Sequence, residues 1–574
     1  MGEDHIDRDY CELVSRRSFI AATGVAGSAA LAGCYGSGDD GNWFNTAQVE
    51  HEVGQYQYNP HEWGGFTHAS FGLFDEYAQY LVGEDEFYPH FVEEWETDEG
   101  EMTLHLRDDY TWGNGDDITA DDIVMQLEIG EALDSNLWEF ADDVEATDDH
   151  TVVISYSEGT NTDIIEHTVL NESLDHPPAD WVEIHEAIQN GDDVDIFGHE
   201  IEEPTPSGPI ELSNTTDSYH EYTIRDDHPL ADNYDWEGYR MEYRSENQAA
   251  HQSFQQQDLD GIHSLFADPE IMDTFPDSLE EIQIPGGFGF GVAFNYDDEH
   301  YGDREVRQAF MHALDRDLVI ENIGESTSIK HDAPTGLTAV ANDEWFGDPT
   351  DQYEPYEHDL DRVEELLESA GYERNGDDIW ERDGEVLEAN IIVASSWSDW
   401  VTMASTCADQ LSQAGFDSSA DTRGEGAWYE LMADGDFQVT AYGHTQGGDP
   451  AMNHPFFALR WKLLNREHDS DSSFYNYPEE VTVPEMDGDG EMTVDFNEEF
   501  EALAATNDEA EMQEIVERLA WVVNQDVPLA IIQEKYEQTF IDREMWDIPD
   551  ESEHFQSYWP LWWLPKVDDM SAAQ

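Results

Sequence analysis

Met102-Thr103-Leu104-His105-Leu106 places apolar side chains at every second position, the period of a half-buried strand, and a turn is predicted at Gly113-Asn114-Gly115. Thr119 stands where an N-cap belongs, before Ala120-Asp121-Asp122-Ile123-Val124, so strand, turn and capped helix follow in quick succession. Thr151 to Tyr156 repeats the alternating period, and an amphipathic stretch runs from Phe71 to Leu81. Further along, Val306 to Ile320 and Asp359 to Ala370 carry apolar residues at three- and four-residue spacing and read as helices, the second closed by Gly371. Ile391 to Ala394, a helix from about Val401 to Ala414, and Phe437 to Tyr442 continue a strand-helix-strand alternation. Pro204-Thr205-Pro206-Ser207-Gly208-Pro209 punctuates the chain like a crossing between lobes. The pattern is that of an α/β protein.

Composition changes the picture in one respect. The chain has 574 residues, too many for one ordinary core, and its 39% hydrophobic content is ample for packed domains. Yet 134 acidic residues oppose 22 basic ones, a formal net charge of -112 spread over the whole length. Lysine occurs only at Lys330, Lys462, Lys535 and Lys566. Such a surface repels itself in dilute buffer, whereas in molar salt the Debye length falls to about 3 Å, so the expected setting is brine and the expected source an extremely halophilic archaeon. Nucleic acid is excluded as a partner, since phosphate neutralisation needs clustered Lys and Arg. Three cysteines, Cys11, Cys34 and Cys407, are too few and scattered for a disulfide framework or a zinc site, and Cys407 reads as a buried, inert thiol.

The N-terminus reads as an address. Ser15-Arg16-Arg17-Ser18-Phe19-Ile20 precedes an Ala- and Gly-rich stretch and resembles a twin-arginine export signal, with Arg16 and Arg17 as its pair. That stretch, about 14 residues, is shorter than the roughly 20 a membrane-spanning helix needs. Leu31-Ala32-Gly33-Cys34 resembles a lipobox, making Cys34 the expected lipid anchor on the extracellular face of the cytoplasmic membrane. Residues 1–34 are thus signal and residues 35–42 a polar tether.

Four segments carry a family resemblance. They are Tyr88-Pro89-His90-Phe91-Val92-Glu93-Glu94-Trp95 with Leu106-Arg107 and Thr119-Ala120-Asp121-Asp122-Ile123; Pro206-Ser207-Gly208-Pro209; Asp303-Arg304-Glu305-Val306-Arg307-Gln308-Ala309-Phe310 with Ala313-Leu314-Asp315-Arg316; and Ala370-Gly371-Tyr372. In this order they resemble extracellular solute-binding protein family 5, which contains the oligopeptide-, dipeptide- and nickel-binding proteins of ABC importers. The resemblance implies a two-lobed periplasmic-binding-protein-like fold of type II, with the ligand cleft at the hinge and an extra inserted domain. The corresponding boundaries are 43–70 with 200–297 and 530–574 for the first lobe, 71–199 for the insertion, and 298–529 for the second lobe. It further implies a monomer that hands a peptide or small polar solute, such as an oligosaccharide, to importer permease subunits, without catalysis or a cofactor.

Other chemistry finds little support. Carboxylate pairs arise by chance among so many acids, and no Gly-x-Ser-x-Gly elbow, His-Glu-x-x-His or phosphate-cradling Gly-Lys-Ser/Thr loop is present. No metal site is expected from the scattered histidines. A surface hydrolase and a ligand-sensing module for a receptor are the alternatives. For the cleft, the expected contacts are Trp63, Trp397, Trp428, Tyr442, His444, Gln446 and Asp449. By the resemblance, His444 takes the place of a Trp, and Gln446 or Gly447 that of the Asp that seats a peptide's α-amine. A neutral amide cannot make that charge-assisted bond, which leaves neutral solutes, or peptides held by another acid, as candidates.

Overall fold

The computed structural model describes residues 42–49, 57–61, 67–83, 86–133, 135–216, 218–347, 352–445, 450–464, 475–486, 488 and 490–573. Arg16, Arg17, Cys34, Trp63, Gln446 and Asp449 lie outside them.

The site is organised by a five-stranded sheet in the order Asp417–Arg423, Glu388–Ala394, Val439–Gly443, Phe290–Phe294, Leu529–Ile531. The first three strands run parallel, and the last two pair antiparallel. All but the first are apolar on both faces, as strands sandwiched between helices must be. Ile391, Val393, Val439, Ala441, Phe290, Val292 and Phe294 join one core. It is closed by helices Arg304–Ala313, Leu360–Ser369 and Ser398–Ala414. Ile392, Ala394, Tyr442, Ala293, Leu529 and Ile531 join the other, under helices Pro455–Leu463, Phe496–Ala504 and Glu509–Asp526. Each fully buried Leu, Ile or Phe contributes roughly 1.5–3 kcal/mol.

The predicted helix over 306–320 is two helices, Arg304–Ala313 and Arg316–Glu321, because Asp315 turns out of the first and caps the second, its carboxylate accepting the Leu318 N–H at 3.1 Å. The stretch from Phe71 to Leu81 likewise divides into a helical turn, Ser70–Leu73, and a strand, Ala78–Leu81. Thr119, Asp359 and Gly371 take the cap roles their positions predict: Asp122 accepts the Thr119 N–H at 3.0 Å, Asp359 that of Arg362 at 3.0 Å, and Gly371 has φ +87°. Arg307, in the most specific family segment, is buried against Asp526 (2.7 Å), with Tyr477 donating to the same carboxylate at 2.9 Å. That pairing holds the carboxyl of Asp526 below its ordinary range despite burial.

A second sheet, Gly261–Ile262, Glu534–Asp542 and Leu279–Pro285, continues from the first through two short segments, residues 286–289 and 532–533. The two crossings stay hydrogen-bonded to each other: Lys535 N–H donates to Phe288 at 2.7 Å and Ile532 N–H to Phe290 at 3.1 Å. A side chain on Gly289 would run into the backbone of Gln533, so the close approach of the crossings requires glycine there. The remaining large sheets are Trp43–Val49, Gly238–Arg244, Tyr219–Ile224, Ile210–Thr215, and an antiparallel sheet in the order Val92–Asp98, Glu101–Leu106, Thr151–Tyr156, Ala141–Asp148. The region of this last sheet meets the helices beneath the central sheet, where Asn507 donates to the Thr160 carbonyl at 2.9 Å and Arg460 pairs with Glu139 at 2.6 Å.

Candidate functional site

The helix after Glu388–Ala394, Ser398–Ala414, packs on one face of the central sheet; the helix after Asp417–Arg423, Glu425–Ala433, sends Trp428 and Met432 into the core on the other. Where successive connections leave on opposite faces, a crevice opens beyond the carboxyl ends of the strands, and ligands bind there in open α/β sheets. Four segments emerge at this end: Ser395 to Trp397, Gly443 to Thr445, the crossing 286–289, and the crossing 532–533. They are laced together by His444 N–H donating to Gly289 (3.2 Å) and by the Thr445 hydroxyl donating to the Gly287 carbonyl.

Lys535 lies at the centre. Its ammonium sits 3.3 Å from Glu537 and 5.3 Å from the centre of the Phe288 ring. It acts on groups to either side: together with burial it depresses the pKa of His263, to about 3, and it partly offsets the burial that raises Asp399. On the His263 side is an aromatic platform. Trp559 stacks on Phe71 at 3.7 Å, with His263 at 4.3 Å and His68 at 5.4 Å from its ring. On the Asp399 side, Trp397 stands 5.0 Å from both Trp400 and Trp428. Phe71, His68, Trp559, Phe288, Lys535 and Trp397 are all partly exposed. The Glu537 oxygen Oε1 accepts the Ser264 hydroxyl at 3.2 Å, and Ser264 is held at φ +57°, a left-handed conformation uncommon outside glycine. Oε2 of Glu537 and Oε1 of Gln533 are buried without hydrogen-bond partners. Aromatic faces, one cation and acceptors in excess suit a polar solute rich in donors.

The sequence-selected residues divide. Trp397 borders the crevice. Trp428 is 3% exposed, its indole N–H already donating to Thr440 at 3.0 Å, and Tyr442 lies in the same core with its ring parallel to Trp461. His444 is wholly buried behind the crossing, next to His331. Lys535, Glu537, Asp399, Trp559, His263 and Phe71 escaped sequence reasoning. One signal was available: lysine is so rare in this chain that each is conspicuous, and Lys462 and Lys566 are buried while Lys535 is partly so.

Two sheets joined by paired crossings, with an aromatic-lined crevice beside the joint, define a hinged binding protein. The sequence matches the family described as bacterial extracellular solute-binding proteins, family 5 (middle), over residues 86–461, and the chain belongs to that family. Its members are binding proteins. Among solved structures, the fold is shared with a mannohexaose-bound periplasmic oligopeptide-binding protein of an oligopeptide ABC transporter from Thermotoga maritima (17% identity, 93% of this chain and 99% of that one, TM-score 0.75). It is shared also with the oligopeptide-binding protein AppA from Bacillus subtilis in complex with a nonapeptide (14%, 92% and 99%, 0.72). A third is NikZ from Campylobacter jejuni in complex with Ni(L-His) (16%, 88% and 94%, 0.68). No curated protein sequence matches this chain. Among the described residues no helix is long and apolar enough to cross a membrane.

Proposed function

We propose that this protein is the extracellular substrate-binding component of an ABC importer, a monomer that captures a small polar solute between its lobes and presents the closed form to the permease without transforming it. The observation that carries this reading is the crevice around Lys535 at the hinge of a family 5 fold. The first lobe comprises 43–70, 200–297 and 530–574, the insertion 71–199 and the second lobe 298–529; the two short crossings at 286–289 and 532–533 support the division between the lobes. The ligand is an oligosaccharide or a peptide. Unpartnered acceptors on Glu537 and Gln533 and the Trp559 and Trp397 faces favour a hydroxyl-rich, neutral solute, and the structural neighbour that holds mannohexaose supports it. Export through Arg16 and Arg17 and lipid attachment at Cys34 complete the reading, on the sequence signals alone.

One experiment tests the whole: mass spectrometry of the protein extracted natively from membranes in high salt. The expected result is a copurifying neutral oligosaccharide or peptide, and an intact chain whose first residue is a lipid-bearing Cys34. A chain that retains its N-terminal 33 residues refutes the anchor, and conversion of offered oligosaccharide or peptide to a product refutes the binding role.

A further inference from the structure

Next to the crossing, three side chains distant in sequence converge. His331 follows the short strand Ser328–Ile329, Glu534 opens the strand Glu534–Asp542 that pairs with it, and His444 stands just beyond Val439–Gly443. Each offers one ligand atom, and these atoms all lie within 4.8 Å of one another. His331 Nε2 is 3.2 Å from Glu534 Oε2, which also accepts the Ala339 N–H at 2.7 Å. Glu534 Oε1 and both ring nitrogens of His444 have no hydrogen-bond partner, although both residues are 0% exposed.

Leaving a buried polar atom unpaired costs on the order of 1–3 kcal/mol, and here a carboxylate oxygen and an imidazole, which offers one lone pair and one N–H, are left so in one place. A cation that replaces the proton shared by His331 Nε2 and Glu534 Oε2 would meet the same two lone pairs and that of His444. We propose that His331, His444 and Glu534 form a binding site for one divalent transition-metal ion of the zinc or nickel type.

The donor set decides the class of ion. Two imidazoles and one carboxylate suit zinc, nickel, cobalt and copper, whereas magnesium and calcium take oxygen ligands. Bond lengths near 2.0–2.2 Å bring tetrahedral ligands to about 3.4 Å from one another, so side-chain rotations alone close the cluster from its present spread. Either ring nitrogen of His444 can be the ligand atom, the other keeping its proton. The second layer is in place as well: Asn342 lies 2.9 Å from His331 Nδ1 and takes the Thr335 hydroxyl at 2.5 Å, and rotation of its amide lets it accept the Nδ1 proton of a His331 bound through Nε2. The resident counter-charge is Lys462, fully buried, its ammonium donating to the Ala458 carbonyl at 3.1 Å. The ion would be held by His331 and His444 together with Glu534 at the start of the strand that follows the crossing, and would tie the crossing to the loop after the central strand. It is distinct from a solute carried in the crevice.

The test uses the full chain, stripped with a chelator and dialysed into molar KCl with excess Mg2+ to occupy the acidic surface. Zn2+ is expected to bind with a stoichiometry of one and to raise the unfolding midpoint, and Co2+ to give the visible absorption of a low-coordinate nitrogen- and oxygen-ligated site. His444→Ala, and Glu534→Gln, which keeps the acceptor for Ala339, are each expected to weaken Zn2+ at least about tenfold. Lys462→Met should tighten it. Absence of a Zn2+-dependent shift in the parent midpoint overturns the proposal, as does parental Zn2+ affinity in both His444→Ala and Glu534→Gln. Retention of the copurifying solute by these variants separates a failure here from a failure of the importer reading.

Discussion

At the scale of single residues, Trp428 shows how position in sequence and position in space part company. It follows a strand and sits among aromatics, which from sequence points to the ligand, but its indole is buried in the same core as Ile392, Met432 and Tyr442, with its N–H bound to Thr440 of the strand Val439–Gly443. Trp428→Ala removes a buried indole and leaves a cavity, a change that typically costs about 3–5 kcal/mol. The unfolding midpoint in constant high salt should fall accordingly, and an unchanged midpoint would place the indole in the crevice after all. Trp397, 5.0 Å from it, keeps part of its ring exposed. Nothing in local sequence separates the two tryptophans, because exposure depends on what packs over each.

Among elements, the paired crossings are the feature on which hinge motion depends. Residues 286–289 and 532–533 join the two sheets and remain hydrogen-bonded along their length, so they can twist together but not separate. Gly289→Ala places a methyl group against the Gln533 backbone, which has no flexible end to move aside. Overpacking of this kind destabilises by roughly 1–3 kcal/mol. Equilibrium unfolding should show that loss, and solute affinity should drop with it as the crossings spread; parental values for both would mean that the backbone yields at no cost. The helices at residues 306–320 teach a related lesson. Apolar spacing runs through Leu314 without interruption, but Asp315 is a better cap than interior residue, and the chain breaks to use it.

For the whole molecule, charge dominates. Buried pairs such as Arg307 with Asp526 and Lys566 with Asp75 (2.8 Å) account for part of the scarce basic residues, so most of the acidic surface has no cation from the protein itself. Thermal midpoints measured from dilute buffer to molar KCl should therefore rise steeply as the repulsion is screened. A flat curve would show that the acids are neutralised in some other way. That expectation was complete in the sequence, because net charge and its even spread are additive properties that need no coordinates. The α/β class and most element positions were legible for a similar reason: period, caps and turns are local, and Thr119, Asp359 and Gly371 act on neighbours a few residues away. Family membership was legible in segments such as Asp303 to Phe310, whose Arg307 is held in place by the fold. The site was not. Phe71, His263, Asp399, Lys535 and Trp559 come from widely separated parts of the chain, as do His331, His444 and Glu534. The spacing of such residues carries no signature, since what brings them together is the crossing of two sheets, and only tertiary packing decides which side chains that crossing leaves facing the crevice and which it seals behind.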